Sequence, residues 1–136
     1  MNPILLDTHA AVWAAEGKIA PSIAQAIDAA AERGELLLSP ISAWEIGMLV
    51  RKRRLILATP AQDYIRALFA QPGILTAALT PAIALAATEL PGSFPRDPAD
   101  CILIATAAAY GAQLLSGDKP IHEYARVTKY IRCIVC

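Results

Sequence analysis

The chain of 136 residues is long enough to bury one substantial core, and its length does not call for a second domain. A hydrophobic fraction of 56% excludes a disordered chain, and the absence of a run of about eighteen apolar residues predicts no membrane span. Twelve basic and twelve acidic side chains give a formal net charge of zero, so any nucleic-acid binding has to come from local patches.

The N-terminus and the cysteines indicate a cytoplasmic protein. Met1–Pro3 carries no basic segment and runs directly into an apolar stretch, which is unlike an export signal. Cys101, Cys133 and Cys136 form an odd set. Cys133 and Cys136 have the spacing of a zinc pair, but no second ligand pair accompanies them, so reduced thiols are favoured over a zinc or redox site.

Short apolar runs alternate with helical patterns in the first half of the chain. The run at 2–6 ends at Asp7, as a buried parallel strand does, and Thr8 is expected to cap the helix that follows, through Trp13. Ser39 before Pro40 is a strong helix start, because serine accepts from an early amide and proline suits the first position. The predicted elements here are a strand at 2–6, helices at 8–13 and 21–33, a strand at 35–38 and a helix at 40–51.

The second half repeats this alternation. Asp97 before Pro98 gives the same start signal, and Gly111 ends the helix. The predicted elements are helices at 61–69, 81–89 and 98–110, strands at 74–75 and 113–115, a loop at 91–95 and an edge strand at 130–135. This order predicts an α/β fold, a three-layer α/β/α sandwich with a mostly parallel central sheet, in which ligands bind beyond the carboxyl ends of the strands.

Several carboxylates are expected to meet at that edge. Asp7 and Asp118 each follow an apolar strand, although a turn or capping role explains either one alone equally well. Glu45 lies in the apolar face of its helix, so a basic residue or a metal has to neutralise it. Asp97 is explained as a helix cap in preference to a ligand, whereas Asp100 is favoured as a ligand. Because clustered carboxylates repel one another, the group is reasonable only around a hard divalent cation, Mg²⁺ or Mn²⁺.

Four motifs in order resemble the PIN-domain family, specifically the toxin ribonucleases of bacterial VapBC toxin–antitoxin pairs. The resemblance covers essentially the whole chain. The motifs are Leu5–Ala10, Ile41–Ile46, Arg96–Asp100 leading into Ile102–Ala105, and Leu114–Asp118.

The resemblance implies a metal-dependent endoribonuclease, a hydrolase of RNA phosphodiester bonds in tRNA, rRNA or mRNA. It implies that the principal acids, Asp7, Glu45, Asp100 and Asp118, are catalytic and hold Mg²⁺ or Mn²⁺, with Asp97 as an additional acidic neighbour. Thr8 and Ser116 are implied to support the site by hydrogen bonds. The resemblance further implies a cognate VapB-type antitoxin that occupies the acidic groove. It also implies a homodimer, whose interface would bury some of the many hydrophobic side chains.

Four consecutive cations follow the helix that carries Glu45. They are Arg51, Lys52, Arg53 and Arg54. A solvated helix end that suits the helix dipole and a contact with RNA phosphates explain the run equally well.

The two histidines and the two tryptophans of the sequence can each be explained in more than one way. His9 and His122 are expected to be polar surface residues rather than proton shuttles. Trp13 and Trp44 are expected in the core or at an interface rather than as platforms for nucleobases.

Other Mg²⁺-dependent α/β proteins fit less well. A haloacid-dehalogenase-type phosphatase needs a second aspartate two residues after the first, where His9 stands, and a receiver domain needs a phosphorylatable aspartate that is not found. A non-catalytic protein whose acids dock a basic partner is not excluded by the sequence. Metal-dependent RNA cleavage would distinguish a ribonuclease from such a docking protein.

Overall fold

The computed structural model describes residues 2–94 and 97–136, and their central element is a parallel sheet. Its strands run in the order β3-β2-β1-β4-β5, and every neighbouring pair is parallel. The predicted parallel sheet, with the last strand at an edge, is thereby confirmed. The strands are β1 (Ile4–Leu6), β2 (Leu36–Leu38), β3 (Ile74–Thr76), β4 (Gln113–Ser116) and β5 (Arg132–Val135).

Helices cover both faces of this sheet. They are α1 (Thr8–Ala15), α2 (Pro21–Glu32), α3 (Pro40–Arg51), α4 (Ala61–Phe69), α5 (Pro81–Ala86), α6 (Pro98–Tyr110) and α7 (Lys119–Thr128). Both predicted cap-plus-proline starts are confirmed: Ser39 Oγ accepts from the Ile41 amide, and Asp97 Oδ1 accepts from the Ala99 amide. Gly111, in the left-handed conformation, ends α6 as predicted.

The three layers follow from the alternation of side chains along the strands. One core packs the sheet against α5, α6 and α7, and the other packs it against α1, α2, α3 and α4. Leu5, Leu37 and Leu114 belong to the first core, whereas Leu6, Leu38 and Leu115 belong to the second. The predicted α/β/α sandwich is confirmed.

Some predicted boundaries were wrong. Asp7, not Thr8, is the N-cap of α1, and that helix continues beyond Trp13 to Ala15. The fifth helix stops at Ala86 rather than at residue 89, since the Thr88 hydroxyl and amide both turn back to the Leu85 carbonyl.

The strands β2 and β5 each begin one or two residues later than predicted, at Leu36 and Arg132. In front of β5, Lys129 adopts a left-handed conformation with φ of 56°, which ends α7 and keeps Tyr130 outside the strand. The predicted loop at 91–95 has no regular structure at 91–94, and its last residue lies outside the described residues.

The helix α7 was not predicted. Its buried residues are Ile121 and Tyr124, a narrow apolar stripe on a mostly polar helix. It connects β4 to β5 and therefore supplies the crossover that two parallel neighbours require. In the described part of the chain, no helix is both long and apolar enough to cross a membrane.

The two C-terminal cysteines lie on opposite faces of the sheet. Cys133 packs against the core of α5–α7, and Cys136 packs against the core of α1–α4. Residues three apart on a strand point in opposite directions. The two cysteines therefore do not form a zinc or disulfide site with each other, and the reduced state of the thiols stays a prediction.

Candidate active site

The candidate site lies where the strand order reverses. From β1, the chain builds the sheet outwards through β2 and β3 on one side, and β4 and β5 occupy the other side. The crevice beyond the carboxyl ends of β1 and β4 is therefore the topological switch point, the usual position for ligands in such sheets. Asp7 directly follows β1, and its amide donates to the Leu115 carbonyl of β4 at 2.9 Å.

Asp7 is buried and fixed by two donors. Its exposed fraction is 6%. Oδ1 accepts from the Thr8 amide at 2.7 Å, and Oδ2 accepts from the Ser116 hydroxyl at 2.6 Å. The Ser116 hydroxyl in turn accepts from the Asp118 amide at 3.0 Å, so one buried serine connects both strand-end aspartates.

Glu45 is held by a chain of hydroxyl groups from α1 and α3. Thr8 Oγ1 donates to Glu45 Oε1 at 2.5 Å and lies 2.9 Å from Ser42 Oγ. A hydroxyl has a single proton, so when Thr8 donates to the carboxylate, Ser42 is the donor to Thr8. Both hydroxyl residues are fully buried, which restricts the Glu45 side chain to one orientation.

Asp97 and Asp100 enter from the first turn of α6. Asp97 caps that helix, accepting from the Ala99 and Asp100 amides at 2.9 and 3.4 Å. Capping does not remove it from the site: carboxylate oxygens of Glu45, Asp97 and Asp100 lie within 4.8 Å of one another. The capping role is confirmed, and Asp97 also lies beside the other acids, as the family resemblance implies.

These acids line one open cleft of about 340 Å³. Its lining comprises Asp7, His9, Trp13, Glu45, Asp97, Asp100, Gly117 and Asp118. Within the described residues, no lysine or arginine contributes to the lining, and no salt bridge involves any of these carboxylates.

The concentration of negative charge changes the acidity of the site. Burial, followed by the charges of Asp97 and Asp7, raises the pKa of Asp100 to about 8. Burial is also the first cause that raises the pKa of Glu45, although the hydrogen bond from Thr8 opposes it. The pKa of Asp118 is raised as well, by burial and then by the charge of Asp7. Burial and the neighbouring carboxylates thus both disfavour the fully ionised cluster.

A hard divalent cation fits this donor set. All the candidate ligand atoms are carboxylate oxygens, the donors that such ions prefer, and Glu45, Asp97 and Asp100 are close enough together to share one ion. The cation would neutralise the repulsion that raises the pKa of Asp100.

The four consecutive cations at the end of α3 do not reach the cleft. This helix begins at the edge where the acids meet and runs away from it, so Arg51 lies about 9 Å beyond Glu45 along the axis. Arg51, Lys52, Arg53 and Arg54 are all exposed, and none lines the cleft.

Sequence reasoning missed several residues of the site. Ser42 was not singled out, although it is three residues before Glu45 and hence on the same helix face. Gly117 and the rings of His9 and Trp13 were also not placed in the cleft. Trp44 is 57% exposed, so its predicted core position was wrong, while an interface position stays a prediction.

His122 lies beside the site without lining it. Its Nε2 is 2.6 Å from the Ser116 carbonyl, which can only accept, so this nitrogen is the donor.

Comparison with known proteins identifies the class of this chain. Residues 4–127 match the model of the PIN domain. The chain therefore belongs to the PIN-domain family.

The relatives confirm the predicted resemblance to VapC-type members of this family. The chain is similar to Ribonuclease VapC22 of Mycobacterium tuberculosis, with 34% identity over 126 residues, which cover 91% of this chain and 93% of the relative. It is also similar to a chain in the crystal structure of VapBC2 from Rickettsia felis bound to a DNA fragment from their promoter. That match has a TM-score of 0.64 over 97% of each chain, and at 12% identity it supports the fold alone.

Proposed function

We propose that this chain is a metal-dependent endoribonuclease, a single PIN domain that acts as the toxin of a VapBC pair and hydrolyses phosphodiester bonds in RNA. One observation carries the proposal: five carboxylates line a cleft at the switch point of a PIN-domain sheet. The relation to a curated VapC ribonuclease supports RNA as the substrate.

Asp7, Glu45, Asp100 and Asp118 are the proposed metal ligands, with Asp97 as a further candidate. Mg²⁺ or Mn²⁺ suits their oxygen donors equally well. When bound, the cation would supply neutralisation of phosphate charge and activation of water for hydrolysis. The chain's own contribution is to hold these carboxylates in position, by Ser116 on Asp7 and by Thr8 on Glu45.

The proposed partners are a VapB-type antitoxin and a second copy of the chain. An antitoxin would inhibit by placing a basic segment in the acidic cleft, where the described lining carries no cation to repel it. Large exposed apolar side chains outside the cleft, such as Ile56 at 91% and Leu85 at 61%, are the candidates for the homodimer interface. We propose a cytoplasmic location, which the cysteine pattern of the sequence favours.

The exposed cations at 51–54 are proposed contacts for RNA that extends beyond the cleft. Their distance from Glu45 along α3 separates them from the reacting phosphate. They would contribute affinity that falls as salt rises.

Cleavage of a labelled RNA pool tests the proposal. The purified protein is incubated with Mg²⁺, Mn²⁺ or EDTA, beside the variants Asp7→Asn and Asp118→Asn and the control Asp28→Asn. Asp28 is an exposed aspartate of α2, outside the cleft, and its variant should keep full activity. Cleavage should require metal and be abolished by both cleft variants, with the fold preserved in circular dichroism.

Full activity in both cleft variants would contradict the assignment of the metal site. Absence of cleavage by folded protein with either metal would instead favour a non-catalytic protein that docks a basic partner.

A further inference from the structure

Two aromatic rings of α1 share the cleft with the carboxylates. His9 and Trp13 are four residues apart and therefore lie on the same face of the helix. Their ring centroids are 5.8 Å apart, with an interplanar angle of 47°. Both line the cleft, so one wall of it is aromatic.

The Trp13 ring is held in place by the corner between β4 and α7. A Cβ atom added to Gly117 would be 3.0 Å from Cζ3 of Trp13 and 3.2 Å from the Cys136 carbonyl oxygen. The missing side chain at residue 117 thus lets the indole lie against the backbone. A fixed aromatic surface loses little conformational entropy when a flat ligand stacks on it.

The aromatic wall borders the reacting region. His9 is exposed and lines the cleft together with Glu45. Carboxylates and a bound cation would contact the phosphate, but they provide no surface on which a nucleobase can stack. Proteins that bind single-stranded RNA commonly stack unpaired bases on aromatic side chains.

We propose that His9 and Trp13 form a nucleobase-binding subsite, on which a base next to the scissile phosphate stacks. This inference rests on the proposed ribonuclease function. The chain's other tryptophan, Trp44, is more exposed and does not line the cleft.

Intrinsic fluorescence tests the subsite directly. In a Trp44→Phe background, Trp13 is the single tryptophan of the chain. The protein is titrated, with Ca²⁺ in place of Mg²⁺, with a single-stranded RNA of about 12 nucleotides in mixed sequence, and a gel verifies that the RNA stays intact. The RNA should quench Trp13, whereas an abasic strand of equal length should not. Equal quenching by both strands would overturn the proposal, since it would report phosphate binding alone.

Binding and cleavage of variants give a second readout. Trp13→Leu should weaken binding of the labelled RNA by roughly tenfold, raise KM more than it lowers kcat and relax the base preference next to the cleavage site. Trp13→Phe should retain most of the affinity, and Tyr130→Leu, which removes an exposed ring outside the cleft, should bind like the unmodified protein. Folded Trp13→Leu that binds and cleaves with unchanged preference would also overturn the proposal. If the ribonuclease proposal itself fails, no variant will cleave RNA with any metal, which distinguishes that outcome from failure of the subsite.

Discussion

Replacing the ionisable group of Asp100 by a neutral one should stabilise the metal-free protein. Asp100 is partly buried among four other carboxylates, which together with burial raise its pKa from 3.8 to about 8. Asparagine has nearly the shape of the protonated carboxyl group and never ionises. Asp100→Asn should therefore increase the free energy of unfolding wherever the aspartate of the unfolded chain would be charged.

The sign and size follow from the two pKa values. Between about pH 4 and pH 8, the folded state holds a proton on Asp100 that the unfolded state releases, so stability falls as pH rises through this window. At about pH 7, which is about three pH units above the pKa of the unfolded aspartate, the retained proton on Asp100 lowers the free energy of unfolding by about 4 kcal/mol. Because solvent screens a partly exposed group, we expect Asp100→Asn to gain about 2 kcal/mol in the free energy of unfolding. This gain corresponds to a Tm increase of about 6 °C.

Urea denaturation in EDTA measures this gain. Asp100→Asn, the unmodified protein and the exposed control Asp28→Asn are compared at about pH 5, 7 and 8.5. The advantage of Asp100→Asn should be below about 1 kcal/mol at the lowest pH and largest above neutrality. Excess Mn²⁺ should reverse the order, because only the unmodified cleft keeps every proposed ligand. A variant that is no more stable at pH 7, or an advantage independent of pH, would refute the electrostatic reasoning.

Three further substitutions test the core, the site and a helix end. Ile104→Asp places an unpaired charge where the side chain is fully buried, so the protein should lose its folded circular dichroism spectrum; a normal spectrum would contradict the core assignment. Ser116→Ala removes the hydroxyl shared by Asp7 and Asp118 and should lower stability by about 1–3 kcal/mol, with weaker Mn²⁺ binding in calorimetry; unchanged binding would show that the serine does not position the ligands. Gly111→Ala should cost about 1 kcal/mol in urea denaturation because φ is 63° there, and a neutral result would indicate that the turn relaxes.

Helix starts were predictable where a capping side chain and a proline coincide. Ser39 with Pro40 and Asp97 with Pro98 define α3 and α6 because the signal is local and chemical. Asp118 also precedes a helix with a proline in its first turn, yet its side chain makes no capping hydrogen bond. Only Ile121 and Tyr124 are buried in that helix, so its hydrophobic periodicity was too weak to reveal it.

The convergence of carboxylates was predictable because parallel strands deliver their carboxyl ends to one edge. The sequence predicted Asp7 and Asp118 at that edge, and both line the cleft beyond the neighbouring strands β1 and β4. For Asp97 the residue pattern alone favoured only the cap, because lying within 4.8 Å of the neighbouring acids depends on how α6 packs; its place among the acids was implied by the family resemblance. The ligand roles of these residues stay predictions.

Tertiary packing also decides which tryptophan borders the cleft. Trp13 and Trp44 both lie on helices next to an acidic motif, and their local sequences do not distinguish them. The difference arises from Gly117, more than a hundred residues after Trp13, whose backbone provides the surface against which the indole packs. A contact so distant in sequence leaves no trace in hydrophobic periodicity.

The formal net charge of zero hides a strongly polarised molecule. Five of the twelve acidic side chains line the cleft, so the rest of the chain has seven acids against twelve cations, a net charge of +5. A divalent cation offsets only part of the charge in the cleft, and the proton favoured on Asp100 offsets a little more. A polyanion would thus be attracted by the surroundings and admitted to the cleft only where metal has reduced the repulsion. Neutral overall charge is therefore no argument against a nucleic-acid substrate in this chain, because five of the acids that cancel its cations lie at the site itself.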